Sequence, residues 1–202
     1  MPVSLVVVPD PRVRSDDELA RALQAGVEWA VAETWQRFAP GVTVFARRAL
    51  GSEAEAEDIA QEVFYRVFTR SKTLRAPEKL RSFIFSFAIR VVRTELRRKK
   101  ARAWLSFHRP ESLVDLGAGL TDMESRDLLR RFYALLDRLA PRPRLVFVLR
   151  QLESMTVEEV AAQMELSIST VKRALSHATT KLSRWIEADP GLAGFFNEKG
   201  WR

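Results

Sequence analysis

The sequence contains no cysteine and only two histidines, which excludes a disulfide framework and leaves almost none of the usual ligands of a structural zinc site. Glycine is also scarce, with eight in 202 residues, and no glycine-rich phosphate loop is present. The G-x-S-x-G elbow of serine hydrolases is missing as well. These absences argue against an enzyme and against a bound cofactor. The lack of cysteine favours a cytoplasmic protein.

Long hydrophobic runs are also missing. Residues 3–8 form an apolar run that stops at Pro9, so it is too short to span a bilayer. No basic stretch precedes it, so it does not resemble a signal peptide. We therefore expect residues 1–15 to be an N-terminal extension and the protein not to insert into a membrane.

What the chain does have is apolar residues and positive charge. Hydrophobic residues make up 47% of the sequence, which excludes a disordered protein, and the length suits two small domains. The net charge of +7 favours a polyanionic partner, although many basic proteins bind no nucleic acid.

Residues 155–186 have the form of a helix-turn-helix. Thr156 and Glu159 have the spacing of a capping box at the start of one helix, and Ser167 is placed to cap a second helix after a short turn. The second helix has an apolar stripe and an opposite polar, basic face. That face is suited to the DNA major groove, but an ordinary amphipathic helix with a solvated face remains an alternative.

The preceding sequence is also helical in pattern. One helix is predicted from Asp16, capped by Ser15, as far as Pro40, and a second from Gly41 to residues 51–52. An acidic amphipathic helix follows at residues 53–70, then a basic loop at 71–79. Residues 80–104 are predicted to form a helix that is rich in arginine on one side and at its end. The helix dipole favours one or two cations at a C-terminal end but does not account for the whole run. Residues 105–125 lose this periodicity and contain glycine and proline, as a linker does.

We therefore predict an all-α protein of two small helical domains joined by a flexible linker, the second ending in a helix-turn-helix. The predicted segments are an N-terminal extension (1–15), a first domain (16–104), a linker (105–125), a second domain (126–187) and a C-terminal tail (188–202).

Three stretches together resemble an extracytoplasmic-function sigma factor, a subunit of bacterial RNA polymerase that retains the helical regions 2 and 4. AEAEDIAQEVFYRVF resembles the polymerase-binding helix of region 2, and LRSFIFSFAIRVVRTELRRKKARA resembles the helix that melts and reads the −10 element. The segment from LDRLAPRPRL to SHATTKL resembles nearly all of region 4. The resemblance covers residues 20–103 and 126–187.

The resemblance implies a set of binding residues for each region. Those expected to bind core polymerase are Asp58, Gln61, Glu62 and Arg66. Those expected at the −10 element are Lys72, Thr73, Arg75, Lys79, Arg90, Arg93, Arg97 and Arg98. Those expected at the −35 element are Ser169, Thr170, Lys172, Arg173, Ser176 and His177.

The same resemblance implies the partners. They are core RNA polymerase, through its beta-prime clamp and beta flap, double-stranded promoter DNA and the melted non-template strand; an anti-sigma factor is a further candidate. Three positions depart from the usual pattern, namely Glu165 where a small residue is common at the turn, Phe83 where Trp is frequent and Arg90 where Asn is frequent.

Two other functions compete with this interpretation. A stand-alone helix-turn-helix regulator would bind its operator as a dimer, but it has no need of the basic helix at 81–102 or the acidic helix before it. An adaptor that binds polymerase without DNA would leave the polar face of residues 169–184 unexplained. A regulator should bind its operator alone, whereas a sigma factor should require polymerase.

Overall fold

The computed structural model describes residues 14–105 and 123–199, and the all-α prediction is confirmed: these residues contain no strand. The helices are α1 (Asp16–Gln24), α2 (Glu28–Leu50), α3 (Glu53–Arg70), α4 (Leu80–Leu105), α5 (Met123–Arg138), α6 (Pro141–Phe147), α7 (Val157–Met164), α8 (Ile168–Glu187) and α9 (Pro190–Lys199). Short 3-10 turns lie between α3 and α4, at Ser71–Thr73 and Pro77–Lys79, and a π-helical turn at Val148–Leu152 follows α6.

The first two helices divide at a different place from the one predicted. Ser15 caps α1 as expected, but the helix ends at Gln24 and α2 runs through Pro40 without a break. The break falls at Gly26, whose φ of 73° belongs to the left-handed region that glycine adopts readily. Pro40 has no N–H, so the carbonyl of Gln36 loses its helical hydrogen bond. Both residues are exposed, so water can satisfy that carbonyl and the helix tolerates the proline.

Helices α2, α3 and α4 pack around one apolar core in the first half of the chain. Ser52 begins α3 by accepting the N–H of Glu55 at 3.3 Å, and Gly51 ends α2 in the left-handed conformation. The largest fully buried side chains here are Phe45, Leu50, Phe64, Leu80, Ile84 and Ile89.

A second core lies among α5, α6, α8 and α9, with Leu136, Phe147, Leu182 and Leu192 buried. The segment predicted as a C-terminal tail contains a helix that was not predicted, because residues 190–199 form α9 and Leu192 is only 1% exposed. Asp189 caps this helix by accepting the N–H groups of Gly191 and Leu192.

The two halves of the chain also contact each other. Helices α6 and α7 pack against α4, and the π-helical turn packs against α2. Helix α5 begins at Met123, inside the segment predicted as linker. The remaining linker, the apolar run at residues 3–8 and Trp201 lie outside the described residues. Among the described helices, none is long and apolar enough to cross a membrane.

Candidate functional site

The helix-turn-helix has the caps that the sequence predicts. The Thr156 hydroxyl accepts the backbone N–H of Glu159 at 3.1 Å, and the Glu159 carboxylate accepts the N–H of Thr156 at 2.7 Å. These contacts hold the pKa of the Glu159 carboxyl below its ordinary value. The hydrogen bond from the Thr156 backbone has the larger effect and the hydrogen bond with the Thr156 side chain the smaller one. Ser167 starts α8 by accepting the N–H of Thr170 at 3.2 Å. Both helices of the motif are therefore fixed at their N-terminal ends.

The turn between the two helices has a left-handed residue that is not glycine. Glu165 has φ 57° and ψ 47°, as expected for a turn at this position, and the Leu166 N–H donates to the Ala161 carbonyl at 2.9 Å. A left-handed conformation costs a residue with a side chain about 1–2 kcal/mol. The surrounding packing therefore maintains a turn that Glu165 itself disfavours.

Helix α8 presents one polar face outward. Its inner side buries Val171, Ala174, Ala178 and Leu182, while Leu175 and Trp185 of the predicted stripe are half-buried. The exposed predicted −35 residues are Ser169, Lys172, Arg173, Ser176 and His177. Thr170, the sixth, is half-buried with its hydroxyl 2.8 Å from that of Ser167. The outward face is therefore an accessible polar and basic surface, as base reading from a helix requires.

The end of α4 is a cationic surface with one exception. Arg97, Arg98 and Lys100 are exposed, and Arg93 is half-buried. Lys99 instead points inward, where its ammonium donates to Glu55 at 2.7 Å and to the Leu50 carbonyl at 3.3 Å. The guanidinium of Arg97 is available to phosphates, and that of Arg98 remains 70% exposed although it lies 3.6 Å from Glu95. Lys99 instead ties α4 to the start of α3 and the end of α2.

The segment between α3 and α4 is a basic loop on a buried anchor. Leu74 is buried, and its carbonyl accepts a hydrogen bond from the Gln24 side chain. Around this anchor the predicted −10 residues Lys72, Thr73, Arg75 and Lys79 are all exposed. The loop is thus fixed at its centre and accessible at its polar side chains.

Helix α3 carries the predicted polymerase-binding face. Asp58 and Gln61 are exposed, and Glu62 is half-exposed and accepts a hydrogen bond from Arg66 at 2.6 Å. Because this pair is solvent-accessible on both sides, it contributes little to stability. Glu62 and Arg66 can therefore give up their ion pair at little cost and contact a partner protein instead.

Comparison with known proteins decides the family. Residues 34–102 match Sigma-70 region 2, and residues 129–182 match Sigma-70 region 4. The chain is 34% identical over 133 residues to the ferric citrate uptake sigma factor FecI of Escherichia coli, covering 65% of this chain and 76% of that protein. The chain belongs to the extracytoplasmic-function group of sigma-70 factors. Sigma factors are DNA-binding proteins of transcription initiation.

Further relatives match this sigma factor over a similar share of its length. It is 29% identical over 137 residues to the RNA polymerase sigma-E factor of Streptomyces coelicolor, which covers 68% of this chain and 75% of that one. Its fold resembles that of CnrH, in a structure with the cytosolic domain of CnrY, with a TM-score of 0.63, 24% identity, and coverage of 86% and 98%. The sigma factor RpoE of Bartonella quintana, bound to the anti-sigma factor NepR, gives a TM-score of 0.59, 18% identity, and coverage of 78% and 97%.

One predicted −10 residue of the sigma factor has a partner that the sequence did not indicate. The guanidinium of Arg90 lies 3.0 Å from the carboxylate of Glu165, the left-handed residue of the helix-turn-helix turn. Both side chains remain accessible to solvent, at 46% and 67% exposure. The position where this sigma factor departs from the usual turn residue is thus in contact with another position where it departs from the family pattern.

An apolar groove beside the α3 face was also missed. Val31 and Trp35 of α2 are each 40% exposed, and with Phe68 they line an open groove between α2 and α3. Tyr65, 67% exposed, lies on α3 between Gln61 and Phe68 along the same side. The signal in the sequence was the surplus of apolar residues on α2, which exceeds what one buried face can hold.

Proposed function

We propose that the protein is a promoter-specificity subunit that binds core RNA polymerase and directs initiation from −10 and −35 elements. The observation that supports this most strongly is the combination, on one chain, of an exposed reading helix, a separate cationic helix and an exposed acidic and amide face. A stand-alone regulator needs only the first of these.

In this proposal α8 enters the major groove at the −35 element. A helix-turn-helix contacts bases with residues near the start of its second helix, which is where Lys172, Arg173 and Ser176 are exposed. An arginine there can make a bidentate contact with guanine, whereas phosphate contacts only orient the protein. Arg173 is therefore the residue expected to carry most selectivity at one base pair.

The −10 element is read by the first half of the protein. Arg93, Arg97 and Arg98 bind the phosphate backbone, and the loop at residues 71–79 accepts a base of the non-template strand that has left the stack. Removing a base from the stack costs a few kcal/mol, which stacking and polar contacts with the loop have to offset. The exposure of Lys72, Arg75 and Lys79 supports this role.

Core polymerase binds to α3 through Asp58, Gln61, Glu62 and Arg66, which meet the beta-prime clamp, while the second domain sits on the beta flap. Tyr65 and the groove formed by Val31, Trp35 and Phe68 extend this surface with apolar contacts. An anti-sigma factor is a candidate partner as well, since two proteins of similar fold were solved as complexes, CnrH with CnrY and RpoE with NepR.

Capture of core polymerase tests the proposal. We expect Asp58→Ala with Glu62→Ala to reduce the affinity for purified core by about ten-fold or more, because both side chains are accessible and the change removes two charged contacts. The matched control is Glu158→Ala, an exposed carboxylate on α7. Equal affinity of the double variant and the control would contradict the assignment of the α3 face.

A further inference from the structure

Helix α8 of this sigma factor begins with an exposed apolar residue. Ile168 is the first residue of the helix and is 44% exposed. Within residues 155–186, all of which the structure describes, it is the one exposed large hydrophobic side chain. A single exposed apolar residue is common on protein surfaces. This one lies where the second helix of a helix-turn-helix approaches base edges, so its position gives it a possible partner.

The packing of the helix-turn-helix does not account for Ile168. The start of a helix is often fixed by an apolar contact between the residue before the N-cap and the fourth residue of the helix. In α8 these positions are Leu166 and Val171, which both belong to the first apolar core. Isoleucine also has a lower helix propensity than unbranched residues. Neither packing nor propensity therefore explains an isoleucine at the first position of α8.

The hydroxyl groups beside Ile168 are used within the helix cap. The Ser167 hydroxyl accepts the Thr170 N–H at 3.2 Å, and it lies 2.8 Å from the Thr170 hydroxyl and 3.1 Å from that of Ser169. Because these three hydroxyls bond to one another, fewer of their donors and acceptors are left for base edges. In the first turn of α8, Ile168 is therefore the exposed side chain that can contact a base without disturbing the cap.

The surroundings of Ile168 suit an approach to DNA. The first turn of α8 contains no acidic residue, whereas the first turns of α1, α3 and α7 do. No carboxylate of this turn would therefore repel phosphates as the helix enters a groove. Lys172 is exposed one turn further along, next to Ile168 on the helix surface. Its aliphatic stem can extend the apolar surface while its ammonium reaches a phosphate.

An apolar side chain can recognise one group in the major groove. Thymine carries a methyl group at C5, whereas cytosine, adenine and guanine present hydrogen-bond donors or acceptors at their major-groove edges. Isoleucine has no hydrogen-bonding side-chain group. Beside a polar edge it would displace water without replacing the lost hydrogen bond, which is unfavourable. An isoleucine in this groove therefore favours thymine and disfavours the other bases.

We propose that Ile168 reads a thymine of the −35 element through van der Waals contact with the C5 methyl group of that base. This inference rests on the proposed function and extends it. Selectivity at −35 is then divided within one helix, because Arg173 reads guanine with hydrogen bonds and Ile168 reads thymine without any. Ile168 was not among the residues that the sequence predicted at the −35 element.

Replacement of thymine by uracil tests the contact, because the two bases differ only in the C5 methyl group. The −35 element is identified from mapped start sites, and each of its thymines, on either strand, is then replaced singly by uracil in a synthetic promoter. Initiation by core polymerase with the protein is measured on each promoter at limiting enzyme. We expect uracil at one position to lower the rate by about four-fold, as the loss of one methyl contact predicts.

Variants of Ile168 link this effect to the side chain. Ile168→Ala should initiate equally well from the thymine and uracil promoters, at a rate close to that of the natural protein on the uracil promoter. Ile168→Val keeps a branched apolar side chain and should retain most of the discrimination. Met123→Ala is the control, because Met123 is an exposed apolar residue at the start of α5, outside the motif, and this variant should keep the natural ratio. Circular dichroism establishes that each variant retains its helices.

Three outcomes would overturn the inference. The first is a −35 element that contains no A·T pair, and the second is a natural protein that does not distinguish uracil from thymine at any −35 position. The third is an Ile168→Ala variant that keeps the natural ratio, which would assign the methyl contact to another side chain.

Failure of the proposed function looks different, because the protein would then not direct initiation with core polymerase on any promoter. The same uracil comparison, made on DNA fragments that the protein binds alone, decides in that case whether Ile168 contacts a thymine methyl group. Loss of discrimination in Ile168→Ala would support the contact, and an unchanged ratio of affinities would contradict it.

Discussion

At the scale of single residues, the outward face of α8 carries the most specific claim. Lys172 and Arg173 are exposed near the start of that helix, and their neighbours Val171 and Ala174 are buried, so the helix has one orientation for its polar side chains. Base selectivity then depends on individual side chains, whereas phosphate contacts affect all sequences alike.

We predict that Arg173→Ala costs about 1–3 kcal/mol at one base pair of the −35 element and relaxes the preference there. The measurement is a transcription assay on a promoter library randomised at both elements. Arg75→Ala, in the loop at residues 71–79, is the matched control and should change the −10 preference alone. A uniform weakening of all sequences by Arg173→Ala would mean that this residue contacts phosphate instead.

A second residue-scale prediction concerns the capping box of α7. The pKa of Glu159 lies below its ordinary value of 4.5 because the folded protein donates hydrogen bonds from Thr156 to its carboxylate. Because the pKa of Glu159 is lower in the folded than in the unfolded protein, its ionised carboxylate stabilises the fold. This stabilisation is fully present above the pKa of the unfolded state and is lost as the pH falls through the pKa of the folded state.

We therefore predict that Thr156→Ala lowers the free energy of unfolding by about 1 kcal/mol at neutral pH, and that the pKa of Glu159 rises towards its ordinary value. Denaturant unfolding and NMR titration measure the two quantities. Glu158→Ala, which changes an exposed side chain of the same helical turn, is the stability control and should stay within about 0.5 kcal/mol of the natural protein. An unchanged free energy of unfolding would show that the Thr156 hydroxyl does not cap α7 in solution.

At the scale of elements, the surface of α4 separates cations that are free to meet DNA from one that is structural. Arg97 is exposed, whereas Lys99 is bonded to Glu55 and the Leu50 carbonyl. The charge pattern of the sequence predicts a basic helix but does not distinguish these two roles, because the distinction depends on which face meets α3.

We predict that Arg97→Ala reduces the log–log salt dependence of open-complex formation by about one unit and weakens all promoters similarly. Lys99→Ala should leave the salt slope nearly unchanged and lower the stability of the protein instead. Promoter opening measured over a series of salt concentrations, with denaturant unfolding alongside, distinguishes the two. Equal slopes for Arg97→Ala and the natural protein would assign Arg97 to another surface.

The elements themselves were largely predictable from local signals. The caps at Ser15, Thr156 and Ser167 and the turn at Glu165 were predicted at the correct residues, because capping depends on neighbours within three or four positions. The break near Gly26 was misplaced to Pro40, because a proline inside a long helix can be tolerated where water satisfies the carbonyl that loses its hydrogen bond. Helix α9 was missed because its short apolar pattern is stabilised by contact with α5 and α8.

At the scale of the whole molecule, the contacts between the two halves could not be predicted from the sequence. Arg144 and Ala49 are 95 residues apart, and Arg48 and Glu153 are 105 apart, so no local spacing relates them. No role for either arginine was predicted from the sequence, and the burial of Arg144 became evident only from its contact with the Ala49 carbonyl of α2.

We predict that Arg144→Ala lowers the free energy of unfolding by about 3 kcal/mol, because it removes a buried charge that links three helices and leaves Asp137 and the Ala49 carbonyl without this donor. Arg142→Ala on the same helix changes an exposed residue and should stay within about 0.5 kcal/mol of the natural protein. Denaturant unfolding compares them. Similar stability of the two variants would contradict the burial of Arg144.

The central claim, that this sigma factor gives core polymerase its promoter specificity, is tested most directly by transcription in vitro. Core polymerase with and without the protein is presented with a genomic fragment library, and the start sites are sequenced. We predict that defined start sites appear only when both are present, preceded by shared −10 and −35 sequences. Start sites that do not depend on the protein, or binding of the same fragments by the protein alone with no initiation, would contradict the claim and favour a stand-alone regulator.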